Sequence, residues 1–241
     1  MRSLTALGRD PQWFPPLEEA FIEPDGLLAI GGDLSEARLL AAYRRGIFPW
    51  FEEPGHILWW SPNPRAVIFP EELHLPRSLR KRLRQEPFRV TADRAFEAVM
   101  EGCAGARHGS TGTWIGTAMR EGYTRLHKAG YAHSIEVWSH GALVGGLYGV
   151  AIGRVFFGES MFALEADASK IGFAHLAVQL RAWNFALIDC QQDTEHMRRF
   201  GSRCIPREQF RDILALNTDL PGESSPWQLE RSTDDEAWAT R

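Results

Sequence analysis

The chain has 241 residues, 44% hydrophobic and 24% charged, the composition of a soluble globular protein and not of a disordered or membrane-embedded one. With 27 Lys plus Arg against 31 Asp plus Glu, the formal net charge of -4 gives no general attraction to polyanions, so any nucleic-acid contact must come from a local patch. The cysteines, Cys103, Cys190 and Cys204, lack C-x-x-C spacing, which argues against a disulfide framework or zinc knuckle and for a reducing, cytoplasmic compartment.

No signal-like apolar run opens the chain, and no run of about 18 apolar residues occurs, so neither cleavage nor membrane insertion is expected. Turn residues crowd the first stretch at Pro15-Pro16, Pro24-Asp25-Gly26, Gly31-Gly32-Asp33, Pro49 and Pro54-Gly55, leaving room only for short elements. One helix is predicted over about 36–45: Ser35 is a good N-cap, Glu36 suits the first turn, Leu39 and Tyr43 share a face, and Gly46 stops it. Pro62-Asn63-Pro64 marks the predicted boundary between a small N-terminal domain, 1–63, and a larger one, 64–241.

A short strand is predicted over 65–69, followed by the concentrated basic patch Arg77, Arg80, Lys81, Arg82 and Arg84, either a solvated helix face or a phosphate-binding surface. Helical spacing recurs over 96–103 and 117–130, the second helix with Ala118, Tyr123, Leu126 and Ala129 as its apolar face. The polar loop 109–114 between them presents Trp114. Three β-rich runs, 134–138, 142–151 and 155–160, read as an antiparallel meander. A helix over 168–183 aligns Phe173, Leu176, Ala177 and Leu180, a strand covers 186–191, and a last helix begins at Pro206 and runs through Phe210, Ile213 and Leu214. After Pro221 the chain is polar and expected to fray. The fold class is α+β with a mostly antiparallel sheet.

Chemistry is concentrated in two strands. Alternation puts Asp189 and Gln191 on one face, where they either satisfy loop groups or face a cleft as proton acceptor and orienting amide. Glu159 and Ser160 stand between large apolar residues, where a carboxylate needs a partner unless it sits at an exposed strand end. G-x-S-x-G fails at Phe162, no H-E-x-x-H or H-x-x-x-H holds a metal, and no G-x-x-x-x-G-K-[ST] loop cradles a nucleotide. Gly145-Gly146 reads either as a bulge or as a close backbone approach by a ligand. Nine Trp, including Trp50 and Trp227 directly after Pro, are core or stacking platforms.

Several long segments resemble the bacterial leucyl/phenylalanyl-tRNA-protein transferases: Gly26 to Ser35, Tyr43 to Trp50, Leu58 to Pro62, Gly112 to Ile115, His133 to Trp138, Gly158 to Phe162 and Leu187 to Gln191. The resemblance runs from about residue 22 to 210 in the family's order. It implies a small N-terminal domain joined to a GNAT-like acyltransferase domain. The implied enzyme moves Leu or Phe, and less readily Met, from aminoacyl-tRNA to proteins beginning with Arg or Lys, creating an N-degron; it needs no cofactor or metal. By the same resemblance Leu147, Phe156, Phe173, Leu176, Leu180 and Ile188, with Ser160 beside them, form the amino-acid pocket. Trp50 and Trp114 form the platform for the terminal adenosine with Tyr43 nearby, and Glu159, Asp189 and Gln191 are the polar catalytic set. The basic patch then lies along tRNA phosphates, which carry no sequence code.

An α-amino group with a pKa of about 7.7–8.0 is already partly neutral, so no strong base is required. Asp189 is expected to take its proton, directly or through Gln191 or a water, and Glu159 to hold the transferred residue's α-amino group or the acceptor's cationic end. Two other readings compete. A CoA-dependent N-acyltransferase would need [RQ]-x-x-G-x-[GA], which Arg198 to Arg203 matches only in part, and a non-catalytic adaptor would bind without turnover.

Overall fold

The structure, a computed structural model, describes residues 3–85, 87–105 and 115–229. The smaller of two sheets is built from β1 (Thr5–Leu7), β2 (Leu27–Gly31), β3 (Phe48–Pro49) and β4 (Leu58–Trp60) in the order β1-β2-β4-β3. Helix α1 (Glu36–Arg44) lies between β2 and β3. The Ser35 hydroxyl accepts the Arg38 N–H at 3.4 Å, as an N-cap should, and Gly46 ends the helix region at φ +74°. A Cβ at Gly46 would also fall 2.7 Å from the Phe210 ring, so both backbone angle and packing exclude a side chain there.

The rest of the chain adds, in order, β5 (Arg65–Ile68), α2 (Arg77–Leu83), β6 (Arg89–Ala92), α3 (Phe96–Gly105), α4 (Thr117–Lys128), β7 (Ala132–Ser139), β8 (Ala142–Ile152), β9 (Val155–Ala163), α5 (Ala168–Ala182), β10 (Leu187–Gln191), α6 (Glu195–Arg198), β11 (Arg203–Ile205) and α7 (Arg207–Asn217). These strands form a seven-stranded sheet in the order β11-β5-β10-β9-β8-β7-β6. Its pairs are antiparallel except β9 with β10, and α5 is the crossover that a parallel pair requires.

Each face of this sheet carries its own core. On one side Leu39, Tyr43, Trp59, Val99, Met119, Tyr123, Phe157 and Phe210 bring together the small sheet, α1, α3, α4 and α7. On the other, Leu79 and Leu83 of α2 join α5 and the opposite sheet face. Each large apolar side chain so buried contributes about 1.5–3 kcal/mol before chain entropy is counted.

Two expectations need correction. The buried face of α4 is Met119, Gly122, Tyr123 and Leu126; Ala118 and Ala129 are exposed, because the 3.6-residue period starting from Met119 passes them by. The chain after Pro221 does not simply fray: Trp227 is 2% exposed, stacks on His133 at 3.7 Å and donates its backbone N–H to Asp93 at 2.7 Å. The bulge reading of Gly145-Gly146 fits the register, in which Val137 pairs with Gly145 and Trp138 with Leu143 and Val144 is left over; packing also excludes side chains, since a Cβ at Gly145 would meet the Ala168 Cβ at 2.7 Å and one at Gly146 the Ile135 carbonyl oxygen at 2.8 Å. Trp114 and the loop 109–114 lie outside the described residues, although Ile115 just after them is buried.

Candidate active site

Strands β9 and β10 pair from Val155 with Leu187 to Phe157 with Asp189, after which, among the described residues, β9 continues to Ala163 against β8 alone. Gly158 to Met161 are partly exposed along this parting of the sheet. Two irregularities aim side chains there. Gly149 pairs with Gly158 and Tyr148 with Ser160, so Glu159 is the additional residue of a β-bulge. On β10, Val67 pairs with Asp189 and Ala66 with Gln191, leaving Cys190 over and Gln191 at φ +61°.

The bulge breaks the alternation along β9. Glu159 and Ser160 both turn toward the α1, α3 and α4 side, Ser160 bonding the buried Cys103 thiol of α3. The Glu159 carboxyl hydrogen-bonds the Tyr43 hydroxyl through Oε1 at 2.7 Å and the Tyr123 hydroxyl through Oε2 at 2.9 Å. Gln191 Nε2 donates to Oε1 at 2.8 Å, and the two tyrosine hydroxyls hydrogen-bond each other. Burial among these groups pushes the Glu159 carboxyl up to about 8; the nearby negative charge of Asp189 also raises it, while its tyrosine and glutamine partners lower it. The phenols of Tyr43, Tyr123 and Tyr148 are likewise pushed well above their usual range, first by burial and then by the Glu159 charge.

Asp189 is fully buried and occupied. Arg65 Nε donates to Oδ1 at 2.8 Å, Arg65 Nη2 to Oδ2 at 2.7 Å, and the Gln191 backbone N–H to Oδ1 at 2.9 Å. The Arg65 guanidinium, 1% exposed, is sandwiched between the rings of Phe48 in β3 and Phe210 in α7, at 4.9 and 4.8 Å. Direct abstraction of a substrate proton is therefore closed to Asp189. What the pair does is fix the β10 backbone where Gln191 turns toward Glu159.

The expected pocket residues gather on the other sheet face. Leu147 of β8, Phe156 of β9, Phe173, Leu176 and Leu180 of α5 and Ile188 of β10 share one apolar cluster, each at most 3% exposed. Trp50 is 40% exposed, its ring 5.4 Å from that of Trp60, so a face remains available for stacking. Glu53, farther along the same loop, accepts the N–H groups of Thr117 and Ala118 at 3.1 and 3.0 Å and ties the Trp50 loop to the start of α4. On α2, Arg77, Arg80, Lys81 and Arg84 with Ser78 line an open depression of about 670 Å³, and Arg82 instead lies over Phe88 at 5.8 Å.

Sequence reasoning missed Arg65, Tyr123 and Glu53. Arg65 opens the apolar strand R-A-V-I, where a cation demands a buried acid, and that signal was available. Tyr123 reads as an ordinary helix-face aromatic, and nothing local marks its hydroxyl.

A family model for leucyl/phenylalanyl-tRNA protein transferase matches residues 67–215, and one for the N-terminal domain of the same family matches residues 32–63. The leucyl/phenylalanyl-tRNA–protein transferase of Stutzerimonas stutzeri is 58% identical over 225 residues, covering 93% of this chain and 99% of its own. That of Nitrosomonas europaea is 55% identical over 217 residues, covering 90% and 92%. Among solved structures, L-PGS from Bacillus licheniformis is similar over 67% of this chain and 51% of its own, at 12% identity and a TM-score of 0.39. Two family models that match successive segments and relatives covered over nearly their full length lead to one assignment: the chain belongs to the leucyl/phenylalanyl-tRNA protein transferase family and is an aminoacyltransferase.

Proposed function

We propose that this enzyme transfers Leu or Phe, and less readily Met, from aminoacyl-tRNA to the N-terminal Arg or Lys of acceptor proteins in the cytoplasm, marking them as N-degrons. The observation that carries this reading is the parting of β9 and β10, which puts the polar set Glu159, Gln191 and Tyr43 on one side and an apolar cluster on the other. The cluster of Leu147, Phe156, Phe173, Leu176, Leu180 and Ile188 takes the amino-acid side chain. An apolar pocket separates similar side chains by only about 1–3 kcal/mol, which accommodates Leu, Phe and Met together.

Transfer from ester to amide is downhill, so positioning of amine against ester is the main requirement. Gln191 donates its amide to Glu159, which leaves its carbonyl oxygen as the end that can accept from the attacking amine. Asp189 acts as a positioning residue through Arg65 and the Gln191 backbone, in place of the direct proton acceptor that strand alternation suggests. Trp50 stacks the terminal adenine, with Trp114 as its partner by resemblance. The basic residues of α2 lie along acceptor-end phosphates, supported by a depression that Arg77, Arg80, Lys81 and Arg84 line together. Division at residues 1–63 and 64–241 belongs to this reading, since the four-stranded sheet is complete before Ser61.

Mass spectrometry of an Arg-initiated peptide incubated with enzyme and Phe-tRNA or Leu-tRNA tests the proposal, with a Val-initiated peptide as control. Addition of one Phe or Leu to the Arg peptide alone is expected. Equal modification of both peptides, or of neither, overturns the acceptor assignment.

A further inference from the structure

We propose that Glu159 rests as a neutral carboxylic acid, closing with Tyr43 and Tyr123 a ring of three hydrogen bonds that holds the proton delivered to the departing ribose oxygen. The ring's own proton count requires it. Three oxygen–oxygen contacts make the ring: Tyr43 with Glu159 Oε1, Tyr123 with Glu159 Oε2, and Tyr43 with Tyr123. Each needs one hydrogen, and two phenols supply only two. With a carboxylate, both phenols donate to it and the contact between their oxygens is left without a proton, two lone-pair surfaces facing each other in a buried site. With a carboxylic acid the ring closes: Oε2–H donates to Tyr123, Tyr123 to Tyr43, and Tyr43 to Oε1, the carbonyl oxygen. Gln191 Nε2 donates to Oε1 in either case.

The surroundings agree with the count. From α1 and α4 come the two phenols; from β8 comes Tyr148, its ring 5.6 Å from that of Tyr123 and its buried hydroxyl without a partner among the described residues. From α3 comes the neutral Cys103 thiol, itself pushed up to about 12 by burial. From β10 comes Asp189, an anion that disfavours a second negative charge, and its bidentate bonds take the Arg65 guanidinium. Among the described residues, no group that bonds the Glu159 carboxyl is a cation. Glu159 is nevertheless partly exposed along the β9–β10 parting, so a group shielded on its helix side remains reachable from the substrate side.

The ring gives the proton a defined path. When the amine nitrogen attacks the ester carbonyl, a C–N bond forms and the C–O bond to ribose breaks. The ribose oxygen takes the Glu159 proton, and the proton lost by nitrogen restores the acid at the other carboxyl oxygen, with Tyr43 and Tyr123 each passing one proton and receiving one. Glu159 is a carboxylic acid before and after, and no co-reactant enters. A carboxylate would instead repel the charge developing on the leaving oxygen. The resting protonation follows from the ring alone; the delivery step rests on the transfer activity proposed above.

Two readouts separate these parts. Carbon-13 NMR of enzyme labelled at the Glu side-chain carboxyl, with the resonance assigned by its loss in Glu159→Gln, reports protonation without any activity. A midpoint near 8 is expected, and an ionised carboxyl at pH 7 overturns the proposal. If Glu159→Gln does not fold, Tyr123→Phe, which keeps the carboxyl and perturbs only its neighbour, supplies the assignment. In the transfer assay with saturating donor, wild-type kcat is expected to fall above pH 8 or so. Glu159→Gln should lose roughly 10²–10⁴-fold in kcat with little change in donor KM, and lose the alkaline limb as well. A variant with a raised KM and unchanged kcat would make Glu159 a binding anion and overturn delivery. Absence of transfer by the wild type overturns the functional reading and, with it, delivery, while the NMR result still decides the protonation state.

Discussion

Arg65 and Asp189 carry the tightest constraint at the site, because each is an ion that the interior tolerates only in the other's company. Removing one partner of such a pair leaves a buried uncompensated charge, at a cost of about 3–5 kcal/mol. Arg65→Met is therefore expected to lower the unfolding free energy in urea by that amount, and Arg65→Lys to lose much of it too, since an ammonium cannot make the bidentate bond. Wild-type stability in urea for both variants would show that Arg65 does not hold Asp189 in place. Glu159 leaves a different signature. Its folded-state value of about 8 lies above the ordinary 4.5, so the folded chain holds the proton more tightly and the associated stability is full below 4.5 and lost as pH rises to about 8. The stability of the wild type relative to Glu159→Gln should fall across that window and level off above it, as read by denaturant midpoints at a series of pH values.

At the scale of elements, helix starts are where sequence and structure agree best. Ser35 caps α1, and Ser35→Ala should cost about 1 kcal/mol, measurable in the same unfolding assay. Helix α3 has a less local device: Glu136, buried in β7, accepts the N–H groups of Arg94 and Ala95 at 3.2 and 3.3 Å and the Ser134 hydroxyl at 2.6 Å. In the H-S-I-E-V-W segment, then, His133 holds Asp93 at 2.8 Å and Glu136 secures a helix start; both are structural, which their polar type alone does not reveal. Helix α2 is legible as an amphipathic element, with Leu79 and Leu83 buried and its cations left outside. Replacing Arg77, Lys81 and Arg84 together by Ala should weaken aminoacyl-tRNA binding and reduce the salt slope by about one per lost phosphate contact. Transfer from a short 3′-aminoacyl-adenosine donor should be unaffected, and an unchanged salt slope with full tRNA would make the patch a solvated face.

Across the whole molecule, the segment after α7 returns to close the core beneath the proposed amino-acid pocket. Trp227 touches Phe156 at 6.0 Å, Trp183 at 5.1 Å and His133 at 3.7 Å, with Glu223 paired to Arg154 at 2.7 Å on the way. Trp227→Ala should cost about 3–5 kcal/mol. A change below about 1 kcal/mol in denaturant unfolding would mean that this segment is only loosely attached in solution. By itself the sequence determined the order and type of the main elements, the α+β class and, through its long family-like segments, the kind of reaction, because hydrophobic period, caps and turn residues are local. Only the tertiary structure decided that Asp189 is spent on Arg65, that a bulge turns Glu159 onto Tyr43 and Tyr123, and that Trp227 is core. Those outcomes depend on partners as many as 134 residues apart, and no local pattern encodes which buried polar group will meet which.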